Sequence, residues 1–268
     1  ICKMNNTSFT SEKEGKYTED VNLLENHNNK TPSIEIEHVR EVYNFIAKQW
    51  HSTRYKAWPI VGEFCKNYCN NGQIVADIGC GNGKMAPYIC NNNAFSIACD
   101  TSQELIKICQ KQHSKKKYET IVADGVKLPY RSNSFDVALN IAVLHHLSTK
   151  ERRIQCIKET LRILKPNGIA LFYVWAKKQD NSRSNHVFKS SDVFVPFHFR
   201  QHGPDYDENH NLYPNHAIKD DDKRAIVLKR YCHVFENGEL ENIIKPFAKI
   251  NESYYDAGNY GVSCTKIC

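Results

Sequence analysis

Apolar positions fall along this chain in two rhythms. Short continuous runs at 74–78, 95–99, 118–123, 135–141 and 169–175 read as buried strands. Between them, apolar residues three and four apart at 84–91, 103–112 and 149–164 read as helices. A helix at 239–247 and strands at 250–255 and 260–265 close the sequence, and 226–235 also has strand character. The alternation predicts an α/β fold built on a doubly wound, mostly parallel sheet of seven strands.

Before the first strand, Val39, Val42, Tyr43 and Ile46 recur at helical spacing, so 34–49 is predicted as an amphipathic helix with Ser33 as its cap. Pro59 is suited to open a second helix over 60–68. Together 34–70 is read as a helical lid on a domain spanning 34–268. Residues 1–33 are polar and cannot bury enough surface to offset their ordering entropy, which predicts a disordered tail. Residues 177–224 lack sustained periodicity apart from an apolar island at 192–197. They are expected to form a long insertion or substrate loop.

With 268 residues, 41% hydrophobic and 25% charged, the chain can build one sizeable core. A net charge of +6 suits an anionic partner without requiring one. No apolar run approaches the ~18 residues of a membrane helix, so no membrane partner is expected. No secretory pattern opens the chain, and a first residue of Ile1 is expected of a piece of a longer protein. The eleven cysteines are scattered through mostly apolar contexts without a C-x-x-C pair. They read as reduced, buried thiols of a cytoplasmic protein, nuclear residence also fitting, and no metal site is expected.

Candidate chemistry gathers at the strand ends. The first strand runs into Gly79, Gly81 and Gly83, a turn that can bend sharply and lie against a ligand. Asp77 lies inside the apolar run, where a carboxylate is costly unless N–H groups or a cationic ligand satisfy it. The second run ends in Asp100, placed to take ribose hydroxyls. The third ends in Asp124-Gly125, where an acid can accept from an exocyclic amine. Asn140 and Ile141 close the fourth strand beside the topological switch point. Residues 50–59 mix aromatic and cationic side chains, which suits stacking on a base while gripping phosphate; a packed connector is the compatible alternative.

The spacing D-x-G-x-G-x-G departs from the dinucleotide form G-x-G-x-x-G. It resembles motif I of the class I S-adenosylmethionine-dependent methyltransferases, which implies a Rossmann-like fold. Further stretches resemble one family in that class, the tRNA methyltransferases that esterify carboxymethyl groups on wobble uridines, related to the methyltransferase domain of AlkB-type tRNA oxygenases. They are Ser52-Thr53-Arg54-Tyr55-Lys56-Ala57-Trp58-Pro59, Ile141-Ala142-Val143-Leu144-His145-His146, Thr149-Lys150-Glu151-Arg152-Arg153 and Arg230-Tyr231-Cys232-His233-Val234-Phe235. Phe197 stands where the family pattern has Trp after Val195-Pro196.

The resemblance implies S-adenosyl-L-methionine as donor and S-adenosyl-L-homocysteine as product. The residues implied to bind them are Asp77, Gly79, Cys80, Gly81, Gly83, Asp100, Thr101, Asp124, Gly125, Asn140 and Ile141. It implies a 5-carboxymethyluridine acceptor in tRNA, met by Tyr43, Tyr55, Lys56 and Trp58. It also implies a small zinc-binding activator subunit on the 118–123 strand edge. A carboxylate is already ionised at neutral pH, so no general base is expected. A cation must hold it: Arg54 first, with Lys56, His145 and His146 behind, although His146 equally suits a structural role. Two other readings remain open. One is a small-molecule methyltransferase for a quinone or lipid-like acceptor. The other is a non-catalytic RNA-binding or scaffold protein with a vestigial cofactor site.

Overall fold

The computed structural model describes residues 16–17, 19–21, 30–53, 58–114, 117–180, 186–202, 206 and 213–267. Two short strands, β1 (Lys16–Tyr17) and β2 (Glu19–Asp20), precede α1 (Ser33–Glu35). A π-helical stretch, Ile36–Arg40, joins α1 to α2 (Glu41–Thr53). The expected cap is displaced by one residue. Pro32 occupies that position and Ser33 is already helical, so the carbonyl of Pro32, not the Ser33 hydroxyl, takes the first N–H groups.

Next come α3 (Pro59–Tyr68), with Pro59 in its first turn as predicted, β3 (Ile74–Ile78), α4 (Ala86–Cys90) and β4 (Phe95–Asp100). They are followed by α5 (Gln103–His113), β5 (Tyr118–Val122), β6 (Phe135–Ile141), a 3-10 turn at Leu144–His146, α6 (Lys150–Ile163) and β7 (Leu164–Trp175). Ser102 and Thr149 cap α5 and α6, their hydroxyls accepting from the N–H groups of Leu105 and Arg152. The chain continues through β8 (His186–Val187), β9 (Asp192–Arg200), β10 (Ile218–Asp220), β11 (Ala225–His233) and α7 (Glu239–Ile244). It closes with the hairpin β12 (Ala248–Asp256) and β13 (Asn259–Lys266).

The main sheet has seven strands in the order β12-β13-β7-β6-β3-β4-β5. The five strands from β7 to β5 are parallel, and β13 joins β7 antiparallel. Strand side chains alternate between two buried faces. Ala76, Ala138 and Phe172 enter one cluster, and Val75, Leu139 and Leu171 enter the other. Covering both faces is what a parallel sheet requires, and it explains the continuous apolar runs. The order reverses between β6 and β3, which opens a crevice at the carboxyl ends of these strands.

Two expectations are corrected. The apolar island at 192–197 is not an island in a loop; it is the core of β9, which pairs with β11 in a second, four-stranded sheet ordered β10-β11-β9-β2. Phe199, Ile226 and Leu228 of this sheet pack on Val42 and Ile46 of α2. The tail is likewise not uniformly without structure. Residues 16–17 pair with β8 and 19–20 pair with β9, an addition that uses backbone groups and needs no apolar side chains. Among the described residues no helix is long and apolar enough to cross a membrane.

A buried imidazole pins the second sheet to α7. His233 is 6% exposed, with Nδ1 at 2.9 Å from Asp192 and Nε2 at 2.7 Å from Glu239. Burial alone would lower its pKa, but the two carboxylates outweigh burial and raise it. Burial would raise those of Asp192 and Glu239, and the bonds from His233 outweigh that and lower both. The cluster therefore stabilises the fold between those ranges. Its contribution fades as pH rises through the raised histidine value, and again as pH falls through the depressed carboxylate values. His233→Ala is expected to cost about 2 kcal/mol near pH 6. That is a fall in Tm of roughly 4–8 °C for a domain of this size, shrinking toward pH 9 in thermal melts.

Candidate functional site

The glycine turn after β3 is built by backbone geometry. Gly79, Gly81 and Gly83 have φ of 67°, 56° and 76°, a region that favours glycine. Their reasons differ. A Cβ on Gly79 would stand 2.2 Å from Val143 Cγ2, and one on Gly83 would stand 2.4 Å from Cys109 Sγ. A Cβ on Gly81 would meet nothing within 4 Å, so Gly81 faces open space. Cys80 between them is buried, its N–H donating to the Cys99 carbonyl at 2.9 Å.

Two carboxylates flank this turn. Asp77 is 2% exposed and accepts a short hydrogen bond from the Tyr118 hydroxyl. Burial pushes its pKa up to about 7, Asp100 adds to the rise, and Tyr118 and Lys84 counter it. Asp100 accepts from Gly81 N–H at 2.9 Å and from Ser102 N–H at 2.8 Å, while burial holds its pKa above the usual carboxylate value. Thr101 lies between Asp100 and the cap of α5. Asp124 accepts from Val126 N–H at 3.1 Å and pairs with Arg152 at 3.3 Å, which in turn holds Glu35 of α1 at 2.9 Å. Beside Gly125, a Cβ would meet Cys156 Sγ at 3.1 Å. At the end of β6, Asn140 and Ile141 are buried, and Asn140 Oδ1 has no hydrogen-bond partner among the described residues. Ala142 follows at φ 63°, a strained value for alanine.

The helix α2 straps across this edge. Asn44 accepts from the Ser102 hydroxyl at 2.8 Å, which ties α2 to the Asp100 tip. His51 meets Asn82 of the glycine turn at 3.1 Å. The Tyr43 hydroxyl lies 2.9 Å from His146 Nε2. His146 Nδ1 is 2.9 Å from the Tyr231 carbonyl, which can only accept, so Nδ1 carries the proton and Nε2 accepts from Tyr43. His145 Nδ1 accepts from Trp175 N–H at 3.2 Å. Burial drives the His146 pKa down to about 4 and His145 well below the usual histidine value, with His146 and Arg230 adding to it. These two histidines are therefore neutral. Burial thus works against the expected role of either histidine as a cation for a substrate carboxylate and favours the neutral, hydrogen-bonding form.

Of the other expected site residues, Arg54, Tyr55 and Lys56 lie outside the described residues. Trp58 is partly buried, tilted against Tyr173 at 5.2 Å with Lys84 Nζ 3.5 Å from its ring, a packing that is compatible with either expected role. His145, His146 and Cys232 bring three donor atoms within 4.8 Å of one another. Both Nδ1 atoms already hold hydrogen bonds and the Arg230 charge lies close by, which opposes a metal cation there. The sequence reading missed Asn44, His51 and Arg230. The first two stood within the 34–70 segment already marked as a lid, Asn44 on its predicted helix and His51 just beyond it, but only the fold shows which strand tips that lid meets.

A parallel sheet with a glycine turn after its central strand, a ribose-type acid on the neighbouring strand and an antiparallel closing hairpin defines a class I S-adenosylmethionine-dependent methyltransferase fold. A family model described as a methyltransferase domain matches residues 76–172. The chain is 38% identical over 234 residues to the tRNA (carboxymethyluridine(34)-5-O)-methyltransferase of Schizosaccharomyces pombe, covering 87% of this chain and 97% of that one. It is 31% identical to the mouse tRNA (carboxymethyluridine(34)-5-O)-methyltransferase ALKBH8, over 87% of this chain but only 44% of that longer protein. The chain belongs to the tRNA (carboxymethyluridine(34)-5-O)-methyltransferase family. Among solved structures, it shares its fold with a methyltransferase determined in complex with the Trm112 methyltransferase activator of Haloferax volcanii, at TM-score 0.59 and 12% identity over 86% of this chain and 100% of that one.

The open space before Gly81 makes a separable prediction. Gly81→Ala meets no atom of the protein, so its folding cost is confined to the left-handed backbone, about 1–2 kcal/mol. If the donor lies against this turn, the methyl group obstructs it, and calorimetric affinity for S-adenosyl-L-homocysteine is expected to fall at least about tenfold, or 1.4 kcal/mol. Gly79→Ala, which collides with Val143, is expected to lose stability first, as melting curves will register.

Proposed function

We propose that this chain transfers the methyl group of S-adenosyl-L-methionine to the carboxylate of 5-carboxymethyluridine at the tRNA wobble position, giving 5-methoxycarbonylmethyluridine. The acceptor rests on one observation above all: the alignment with the fission-yeast enzyme spans 97% of that protein, so the likeness extends well beyond the cofactor motif. Neither a quinone or lipid-like acceptor nor a vestigial scaffold is favoured by these relatives.

The residues fit the donor. Gly81 leaves room where a Cβ would intrude, Asp77 lacks a full countercharge, and Asn140 Oδ1 lacks a partner. When bound, S-adenosyl-L-methionine supplies an electrophilic methyl group on a sulfonium sulfur and departs as S-adenosyl-L-homocysteine. Asp100 is read as holding the ribose diol, Asp124 and Gly125 the adenine edge, and Asn140 and Ile141 the methionyl amine through backbone. The chain has no proton to remove from an acceptor already ionised. Its work is to align the acceptor oxygen and to exclude water. The α2 strap and the 34–70 segment as a whole serve as the lid, and Arg54, Tyr55 and Lys56 are read as meeting the anticodon.

A partner is read onto the free edge of the main sheet. In β5, Glu119 is exposed and Ile121 and Val122 are 41% and 49% exposed, a strand with its outer backbone groups available for addition of another strand. A small zinc-binding activator of the kind solved with the Haloferax methyltransferase is the proposed occupant. Cytoplasmic or nuclear residence accords with a tRNA substrate.

Two measurements test this reading. Incubation with carboxymethyluridine-bearing tRNA and labelled donor, with and without the activator, is expected to yield a labelled methyl ester on that nucleoside by mass spectrometry. No label in either case overturns the acceptor, while unchanged cofactor affinity in Asp100→Ala overturns the donor site. The second concerns protons. A cationic amine settling near Asp77 favours its ionised form, so binding below about pH 7 should release a proton and affinity should fall as the medium becomes more acid. Calorimetry in two buffers of different ionisation enthalpy reads this directly, and Asp77→Asn should abolish the proton release.

A further inference from the structure

Arg230 is a buried cation without a countercharge. It is 4% exposed, and among the described residues no carboxylate lies within ion-pair distance of it. Its Nε is buried without a hydrogen-bond partner, and Nη1 reaches only the Tyr43 hydroxyl, at 3.4 Å. The neighbouring case is different. Arg152 is shared between Glu35 and Asp124. Arg153, also buried and with its Nε likewise without a partner among the described residues, donates to the Leu147 carbonyl at 2.9 Å and lies in the field of Asp192 and Glu239. Leaving a guanidinium dry and unpaired is costly, and such a cost persists where a ligand supplies the missing charge.

Its position fits that role. Arg230 projects from β11 toward α2, with the Trp50 ring 5.2 Å and the Phe197 ring 5.7 Å from its Cζ. These aromatic walls favour a cation and keep water away. Through Tyr43 it is joined to His146, which follows β6 at the crevice, and α2 carries on to Ser102 beside Asp100. The histidines at this end are neutral, so they supply no charge to an acid group.

We propose that Arg230 is the seat of the acceptor's acid group: its planar guanidinium grips the uridine carboxylate and so makes the enzyme select a carboxymethyl over a neutral carbamoylmethyl side chain. The proposal rests on the acceptor reading above. It replaces Arg54 in that one role and leaves Arg54 to the anticodon. A planar fork matches a carboxylate in two bonds, and an uncharged amide offers it one acceptor and a clashing donor. The amide therefore leaves the charge unpaired, the kind of mismatch that sites use to reject analogues.

The test uses the full chain and two anticodon stem-loops, one bearing 5-carboxymethyluridine and one bearing 5-carbamoylmethyluridine. Wild type is expected to bind the acid form more tightly and to methylate it. Arg230→Gln should bind both RNAs alike, lose at least about 100-fold in methyl transfer, and keep its affinity for S-adenosyl-L-homocysteine. Because it removes an unpaired buried charge, it should melt at the same temperature or higher, which a purely structural arginine would not do. Arg230→Lys, charged but without the fork, should keep part of the preference. An Arg230→Gln protein that still prefers the acid form overturns the proposal. So does a variant pair that melts early and loses cofactor binding together with activity, or loss of the preference in Arg54→Ala instead. If wild type forms no ester on the acid RNA, the acceptor reading fails instead, and the binding preference still judges Arg230 separately.

Discussion

A carboxylate placed inside a parallel sheet has to be held by something, and most of this site follows from how incompletely Asp77 is held. The strand gives it no solvent, and the Tyr118 hydroxyl gives it a single hydrogen bond across the sheet. Asp100 adds a second negative group nearby, and Lys84 only partly offsets them. A site at rest with surplus negative charge on one side of a glycine turn is preorganised for a cation that carries hydrogen-bonding hydroxyls and a base. The glycines then become a geometric necessity. Only a turn that can run at positive φ with no Cβ packs against Val143 and Cys109 at Gly79 and Gly83 and leaves Gly81 clear.

An opposite imbalance lies around Tyr43 and Trp50 of α2. There the buried groups are Arg230 and two imidazoles driven neutral, so the local surplus is positive. One helix, α2, spans from the negative side to the positive one, through Asn44 at the Asp100 tip, His51 at the glycine turn and Tyr43 at His146. Its apolar face is occupied by Val42 and Ile46 against the second sheet. The second sheet is thus the platform that fixes α2, and with it the distance between the two unbalanced charges. The His233 cluster, which fastens that platform to α7, supports the site without touching it.

How much of this could be read from sequence depends on the range of the interactions. The strands of the main sheet, the glycine turn and the acid at the end of β4 were all legible, because each is decided by neighbours within a few residues. The second sheet was not. The strand character of 226–235 was legible, but β9 pairs with that strand across a polar stretch, a contact that no local pattern announces. The neutrality of His145 and His146 was equally hidden, since it comes from burial and from Arg230, a residue distant in sequence. Arg230 itself was visible only as part of a family-like stretch. What marks it is the lack of a carboxylate beside it among the described residues, and a missing countercharge is a property of the fold, not of the chain.

That difference in range also separates the shared from the particular. The β3 turn, the β4 acid and the seven-stranded sheet are determined locally, and a fold of this kind persists in the Haloferax methyltransferase at 12% identity. Such a likeness speaks for the scaffold alone, because a crevice at the switch point binds the donor in the same manner whatever the acceptor. The acceptor must then be chosen by groups the scaffold does not dictate. In the proposal made above those groups would be Tyr43 of α2, the turn after β6 and Arg230 of β11, which meet where the second sheet packs on α2. A substitution in the glycine turn should therefore act on every reaction the fold supports, whereas, if Arg230 seats the acceptor as proposed, a change in the α2–β11 contact should act on the acceptor and leave the donor in place.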